Sequence, residues 1–314
     1  MLVGAHEVEV FEGARARLEA IAYRLLGSAN DAEDAVQDTF LRWQSADREL
    51  IETPEAWLTK VLTNICLNRL TSARAMREAY VGQWLPEPVF AGDRMLGPSD
   101  TVEQRESVSI AMLTLMERLS AKERVVYVLR EAFGYSHGEI AEVLDLTESN
   151  CQQVYRRAKQ HLAADRRRVA VDAAAARKIV EEFLAAALSG RTDSLVKMLT
   201  DDAISVGDGG GVVFSVPRPI NGGLRVARFL RTLFEPSEAK WEMIGGRPDL
   251  FAAVANGVPA LVMVVGDRVV GVFSLDVTAD GIAAVHAQAN PGKLDRATRQ
   301  WTVSGHGEPL TGTW

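Results

Sequence analysis

The stretch Ser136 to Leu162, SHGEIAEVLDLTESNCQQVYRRAKQHL, decides how this chain is read. Ser136 and Glu139 form a capping box that starts one helix, with Ile140, Ala141 and Leu144 as its apolar stripe. Asp145-Leu146 reads as a turn, and Thr147 caps a second helix. On that second helix Cys151, Val154, Tyr155, Ala158 and Leu162 share one face at helical spacing. Ser149, Gln152, Gln153 and Arg156 fall on the opposite face. Gln and Arg are the side chains that bond adenine and guanine edges in pairs. Two short helices with such an outer face predict a helix-turn-helix, with Glu148 to His161 as the helix that enters a major groove. The run from Arg156 to Arg168 is strongly basic, as phosphate contact requires.

Working outward, residues from about Val8 to Arg77 read as wholly helical. Phe11, Leu18, Ile21, Ala22 and Leu25 set a first helix that stops near Gly27. Ser28 or Asn30 caps a second, DAEDAVQDTFLRWQ, with Asp31, Asp34 and Asp38 in an acidic stripe away from its apolar face. Thr53 and Pro54 open a third helix, which ends in a basic run of Arg69, Arg74 and Arg77. From Glu78 to Pro98 prolines and glycines break the pattern, around Trp84-Leu85-Pro86-Glu87-Pro88. Ser120 with Glu123 makes another capping box ahead of RVVYVLREAF.

After Arg168 an Ala-rich helix and a short second one precede strand-like runs: AISV, VVFSV, KWEMIG, FAAVA, ALVMVV, RVVGVFSLDV and IAAVHAQA. Turn signals such as Asp208-Gly209-Gly210-Gly211, Asn256-Gly257 and Asp280-Gly281 separate them. A helix near Gly223 to Phe234 interrupts the series. Helices followed by a meander predict an α+β domain, with helices on one face of a curved antiparallel sheet. The polar, Gly-rich residues 295–314 read as a disordered tail.

The 314 residues carry a net charge of −7, and the first 170 alone are net acidic. A protein that grips DNA unaided is seldom so acidic, so the balance predicts a partner that supplies positive surface. Two cysteines and five histidines show no metal-ligand spacing, and no cofactor is expected. No apolar run spans a bilayer and no signal pattern follows Met1, so the expected location is a reducing cytoplasm.

The acidic helix DAEDAVQDTFLRW, the AWL…N…L helix after it and the helix-turn-helix together resemble extracytoplasmic-function (group 4) RNA polymerase sigma factors. Trp84–Pro88, Asp208–Gly211 and Asn290-Pro291-Gly292-Lys293-Leu294 resemble the marks of a subgroup with a fused C-terminal SnoaL-like domain, which ordinarily has Asp where this chain has Gly292. The resemblance implies an all-α sigma region 2 domain (1–77), a linker (78–105), an all-α sigma region 4 helix-turn-helix domain (106–168), an α+β SnoaL-like cone (169–294) and the tail. It implies that Asp31, Asp34, Gln37, Asp38 and Leu41 dock on core RNA polymerase. It implies that Asn64, Asn68, Arg69 and Arg74 meet the −10 element, where a base is taken out of the stack.

On the same grounds the −35 element falls to Ser149, Asn150, Gln152, Gln153, Arg156, Arg157 and Lys159, with Gln152, Gln153 and Arg156 on the bases. The fused domain would regulate the sigma domains in cis, with no separate anti-sigma protein. Its contacts would come from Trp84, Leu85, Pro86, Glu87 and Pro88, from Asp208, Gly209, Gly210 and Gly211, and from Asn290, Pro291, Lys293 and Leu294. Trp84 would anchor in an apolar site. SnoaL-like relatives include enzymes that use Asp and His inside the cone, and Asp208 with His286 is the pair of that type here. An Asp opening a glycine turn and a lone His in an apolar strand are ordinarily structural, so no catalysis is expected. A small-molecule enzyme or ligand sensor fused to a DNA-binding regulator is the alternative, and a ligand in the C-terminal pocket fits either reading.

Overall fold

The computed structural model describes residues 5–78, 80–98, 101–162, 173–304 and 306–310. The chain divides into two compact units. The first comprises Met1–Ala79, Gly92–Val108 and Met112–Asp165; the second comprises Tyr80–Ala91, Ser109–Ala111 and Arg166–Trp314.

Among the described residues, eight α-helices come first: α1 (Ala5–Leu26), α2 (Ala29–Ser45), α3 (Pro54–Glu78), α4 (Val102–Glu106), α5 (Ile110–Leu115), α6 (Ala121–Phe133), α7 (His137–Leu144) and α8 (Glu148–Leu162). Gly27, at φ 67°, ends α1, and the Ser28 side chain accepts from the Asp31 N–H to start α2. Phe11, Leu18, Ile21, Val36, Leu58 and Leu62 are buried between α1, α2 and α3. Each such side chain stabilises by about 1.5–3 kcal/mol on leaving water.

Both capping boxes form, Ser120 with Glu123 and Ser136 with Glu139. Asp145 takes the left-handed conformation (φ 53°), and the Leu146 N–H returns to the Ala141 carbonyl at 2.9 Å. Cys151, Val154, Ala158 and Leu162 bury the inner face of α8, while Tyr155 is half-buried at its edge.

Arg24 sits at the centre of the first unit with no exposure. Its guanidinium donates to Ser107 Oγ at 2.8 Å and to the carbonyls of Leu96 at 2.6 Å and of Met95 and Gln104 at 3.3 Å. Burial pushes its pKa down to about 10. Arg124, equally buried, donates to the Arg24 carbonyl and pairs with Glu117.

The second unit contains α9 (Ala173–Leu188), α10 (Thr192–Val196), β1 (Leu199–Asp208), β2 (Ile220–Asn221), α11 (Gly223–Leu233), α12 (Glu238–Ile244), β3 (Asp249–Ala255), β4 (Val258–Val265), β5 (Arg268–Thr278), β6 (Gly281–Gln288) and α13 (Pro291–Val303). The sheet order is β2-β1-β6-β5-β4-β3. Strands β3 to β6 form the expected antiparallel meander, and three of the sheet's strand pairs carry register shifts, which bend strands. One face packs Leu261, Phe273, Leu275 and Val285 against Phe183, Val226, Leu230 and Phe234.

The α+β expectation holds, with several corrections. The sheet is mixed, because β1 runs parallel to β6. Helices cover both faces, because α13 packs Leu294, Ala297 and Trp301 on Val262, Val264 and Val272. Residues expected in a disordered tail therefore form most of α13: the Asn290 side chain caps it, Pro291 occupies the first turn, and the apolar residues recur at helical spacing. KWEMIG is helix α12 rather than a strand, with Trp241 and Ile244 packed inward at a three-residue spacing and Gly245 as a left-handed cap. VVFSV forms no strand; the Val213 N–H closes onto the Gly209 carbonyl instead, and Val212 and Phe214 are exposed.

Residues 80–91, read as part of a linker, belong to the second unit and extend its sheet edge. Phe90 bridges Ala255, Ala91 donates to the Val254 carbonyl at 3.1 Å, and the Gln300 side chain both accepts from and donates to the Phe90 backbone. Among the described residues no helix is long and apolar enough to cross a membrane. No group of three or more His, Cys, Asp or Glu among them is placed to hold a metal ion.

Candidate nucleic-acid interface and the Asp208 cluster

On α2 the apolar residues Ala32, Ala35, Val36, Thr39 and Trp43 are buried, which turns Asp31, Asp34 and Gln37 outward. Asp38 is half-buried, and Leu41 is 54% exposed beside it. Arg69, from α3, reaches this stripe: it meets Asp38 at 2.7 Å, Asp34 at 4.0 Å and the Asp31 carbonyl at 3.0 Å. Of the other residues expected at the −10 element, Asn68 is exposed and Asn64 half-buried on α3, and the Arg74 side chain lies outside the described residues.

Helix α8 presents Ser149, Asn150, Gln153, Arg156, Arg157 and Lys159 to solvent, with Gln152 half-buried and within 3.4 Å of Glu148. Ser149 and Asn150 lie in the first turn, at the end of the helix whose dipole favours phosphate. The Asn150 N–H is met by Thr147 Oγ1 at 3.3 Å, the cap expected from the sequence. The basic residues Arg166, Arg167 and Arg168 lie outside the described residues.

Helix α3 also touches the helix-turn-helix. Lys60 Nζ is 2.7 Å from Asp145 Oδ1 and 3.0 Å from the Glu142 carbonyl, and Thr59 Oγ1 is 3.1 Å from Tyr135 Oη. Nothing in the sequence paired these residues, because they are joined only by tertiary packing.

In the second unit the three short motifs meet around Asp208, which has no exposure at the end of β1. Its Oδ1 accepts from Tyr80 Oη at 2.6 Å and from the Gly210 N–H at 3.0 Å. Its Oδ2 accepts from the Leu85 N–H at 2.9 Å and pairs with Lys293 Nζ at 2.7 Å. Lys293 and Gln288 donate to the Leu85 carbonyl, and Gln288 also donates to that of Pro86. The Lys293 ammonium lies 4.3 Å from the Trp84 ring centre and 4.8 Å from that of Tyr80.

Asn290 donates to Tyr80 Oη at 2.7 Å. A Cβ on Gly210 would lie 2.4 Å from the Asn290 side chain, so only glycine fits there. Burial raises the Tyr80 phenol above its ordinary range, and the bond to Asp208 adds to this.

Tyr80 and Gln288 were not among the sequence-selected residues; each lies just outside a motif. Trp84 does not bury itself in an apolar site as expected. It is half-buried against an ammonium, and Leu85 is the fully buried anchor, packed with Val206. Glu87 and Pro88 are buried in the same segment, Pro291 opens α13, and Leu294 packs beneath it.

His286 is buried near Asp276, with Nδ1 3.7 Å from Oδ2. Strand alternation puts both on the α13 side of the sheet, opposite Val285 and Phe273. Cys66 is buried, and burial pushes its thiol up to about 12, which leaves it inert.

A helical unit with an acidic ridge and a helix-turn-helix, joined to an α+β unit, defines a transcription-factor class. Residues 10–76 match the family profile "Sigma-70 region 2" and residues 109–162 match "Sigma-70, region 4". The ECF RNA polymerase sigma factor SigJ of Mycobacterium tuberculosis is 37% identical over 230 residues, covering 73% of each chain. The probable ECF RNA polymerase sigma factor SigI of the same species is 30% identical over 289 residues, covering 90% of this chain and 92% of that one. The crystal structure of M. tuberculosis SigJ superposes with a TM-score of 0.70 at 30% identity, covering 91% of this chain and 97% of that one. The chain belongs to the extracytoplasmic-function sigma factors of RNA polymerase.

Proposed function

We propose that this protein is a cytoplasmic alternative sigma factor which brings core RNA polymerase to promoters, and that its α+β unit controls it in cis through the Asp208 cluster. In this reading Asp31, Asp34, Gln37, Asp38 and Leu41 dock on the polymerase. Asn64, Asn68 and Arg74 engage the −10 element; Arg69 joins them when the polymerase takes over its carboxylate partners. Gln152, Gln153 and Arg156 read the −35 element, while Ser149, Asn150, Arg157 and Lys159 hold phosphate.

One observation carries the regulatory half: the Lys60–Asp145 contact at 2.7 Å. The two promoter elements are named for positions about 25 base pairs apart, or about 85 Å along the duplex. Asn64 lies one helical turn from Lys60, and Gln153 lies eight residues beyond Asp145. Those offsets span on the order of 20 Å of chain, so α3 and α8 cannot serve both elements while this contact persists. Promoter engagement therefore requires the contact to break. Residues 80–91 connect α3 to α4 and are fastened to the second unit. Released, these twelve residues extend to about 40 Å. Fastening them withholds the chain length that separation needs, and no separate anti-sigma protein is required. The α+β unit acts in this way as a regulator rather than an enzyme, which the placement of His286 on the α13 side of the sheet, opposite the face that packs on α9 and α11, supports.

The test is transcription in vitro with core polymerase and this protein as the sole specificity factor. Promoter-dependent initiation is expected, and Gln153→Ala with Arg156→Ala relaxes −35 selectivity by about 1–3 kcal/mol per contact. Selective duplex binding by the protein alone, unaffected by core polymerase, would sink the proposal.

A further inference from the structure

Residues 209–234 hold four arginines and no aspartate or glutamate, in a chain whose net charge is −7. Three of the four, Arg225, Arg228 and Arg231, recur at every third residue along α11. Val226, Ala227 and Leu230 fix the buried side of this helix. Helical periodicity therefore winds the arginines along the opposite side, and all three are exposed there. Arg177 on α9 is paired with Glu181 at 2.7 Å. The guanidiniums of Arg225, Arg228 and Arg231, by contrast, make no ion pair or hydrogen bond among the described residues.

A partner for this face is anionic and repetitive, because it meets three positive charges spread over about 9 Å at 1.5 Å per residue. Duplex DNA carries one phosphate per about 3.4 Å along each strand. The planar guanidinium fork matches a phosphate with two parallel bonds. A protein partner calls for an apolar centre to the interface, and the outer side of α11 offers one large apolar side chain, Leu224. A bilayer calls for an apolar helix face, and that of α11 is already spent on the core. The duplex is also at hand. Residues 163–172 tether this unit to α8, and ten residues reach at most about 40 Å, or about a dozen base pairs at 3.4 Å each.

We propose that the outer face of α11 is a further nucleic-acid contact, which grips duplex phosphates without regard to sequence while α8 reads bases. Its place in a promoter complex rests on the reading above. Its test uses a duplex with no promoter element, so the two fail separately. The full-length protein is titrated onto a fluorescein-labelled duplex of scrambled sequence, about 30 base pairs long, and anisotropy is read from about 50 to about 200 mM NaCl. Each phosphate contact contributes about 0.9 to the fall of log K with log salt. Arg225→Gln, Arg228→Gln and Arg231→Gln together should lower that slope by about 2 to 3. They should also weaken binding at the lowest salt tenfold or more, equally on a second, unrelated sequence. Arg228→Gln alone, which should lower the slope by about one, carries the comparison if the triple variant does not fold. Wild-type binding weaker than about 10⁻⁴ M at the lowest salt, an unchanged slope in the folded variants, or equally tight binding of labelled poly-glutamate would overturn the proposal.

Discussion

Replacing Asp208 with Asn removes one charge and turns one acceptor oxygen into a donor, at a site where every partner of the side chain is a donor. Tyr80 Oη and the Gly210 N–H face one oxygen; Lys293 Nζ, the Leu85 N–H and, at 3.4 Å, Gln288 Nε2 face the other. Whichever way the amide turns, at least two donors face its NH2 group. The Lys293 ammonium, mostly buried, loses its carboxylate partner and keeps the bond to the Leu85 carbonyl. Losing one partner of a buried ion pair costs about 3–5 kcal/mol. The cost falls chiefly on the attachment of residues 80–88, because Asp208 bonds Tyr80 and the Leu85 N–H and its partner Lys293 bonds the Leu85 carbonyl. At about 1.4 kcal/mol per decade, opening of the segment rises by a factor of about 100 or more. Amide exchange reads this directly: Leu85 should exchange at least a hundredfold faster in Asp208→Asn, while Leu261 in central β4 keeps its wild-type rate. Adding Lys293→Met removes the stranded charge and should recover part of the loss. Leu85 exchange within threefold of wild type would refute the reasoning.

Three further outcomes follow from the same geometry. Gly292→Asp, which restores the subgroup residue in the first turn of α13, should stabilise by about 0.5–1.5 kcal/mol through helix propensity and the helix dipole; a lower Tm than wild type would contradict this. The Tyr80 phenol titrates above its unfolded value of about 10, so its contribution is complete below that pH and is lost as pH rises through the folded value. Tyr155 shifts the same way through burial and its bond to Glu131, so Tyr80→Phe should reduce but not abolish the fall in stability between pH 7 and pH 11, measured by urea unfolding. Arg24→Met removes the donor from Ser107 Oγ and from the Leu96 and Met95 carbonyls and should cost about 3 kcal/mol or more, seen as a lower urea midpoint; a midpoint equal to wild type would show that solvent or neighbours replace those bonds.

The helix-turn-helix was legible from sequence because everything that defines it is local. A capping box at Ser136 and Glu139, a turn at Asp145-Leu146, a cap at Thr147 and an apolar face at helical spacing follow one another directly along the chain. The acidic ridge on α2 was legible for the same reason. The meeting of the three motifs at Asp208 was not, because it depends on β1 lying parallel beside β6, which places Asp208 opposite Gln288. Periodicity within a strand says nothing about which strand it neighbours. Helix α13 was missed because its apolar residues are separated by glycine and charge, and its partner face on β4 and β5 is visible only in the folded sheet. KWEMIG was misread because six residues with alternating apolar character fit both a strand and two turns of helix.

Helix α13 supplies Lys293 and Asn290 to the cluster from a position far beyond the helix-turn-helix in the chain. Synthesis runs from the N-terminus, so α1 to α8 leave the ribosome before the lysine that completes the clasp has been made. Roughly 130 residues separate Leu162 from Lys293, and at about 5–20 residues per second this interval is on the order of 10 s. For that time each nascent molecule carries α1 to α8 with the Asp208 cluster still unfinished. Under the proposed cis control, restraint begins only once translation has passed α13, and every newly made copy is briefly unguarded.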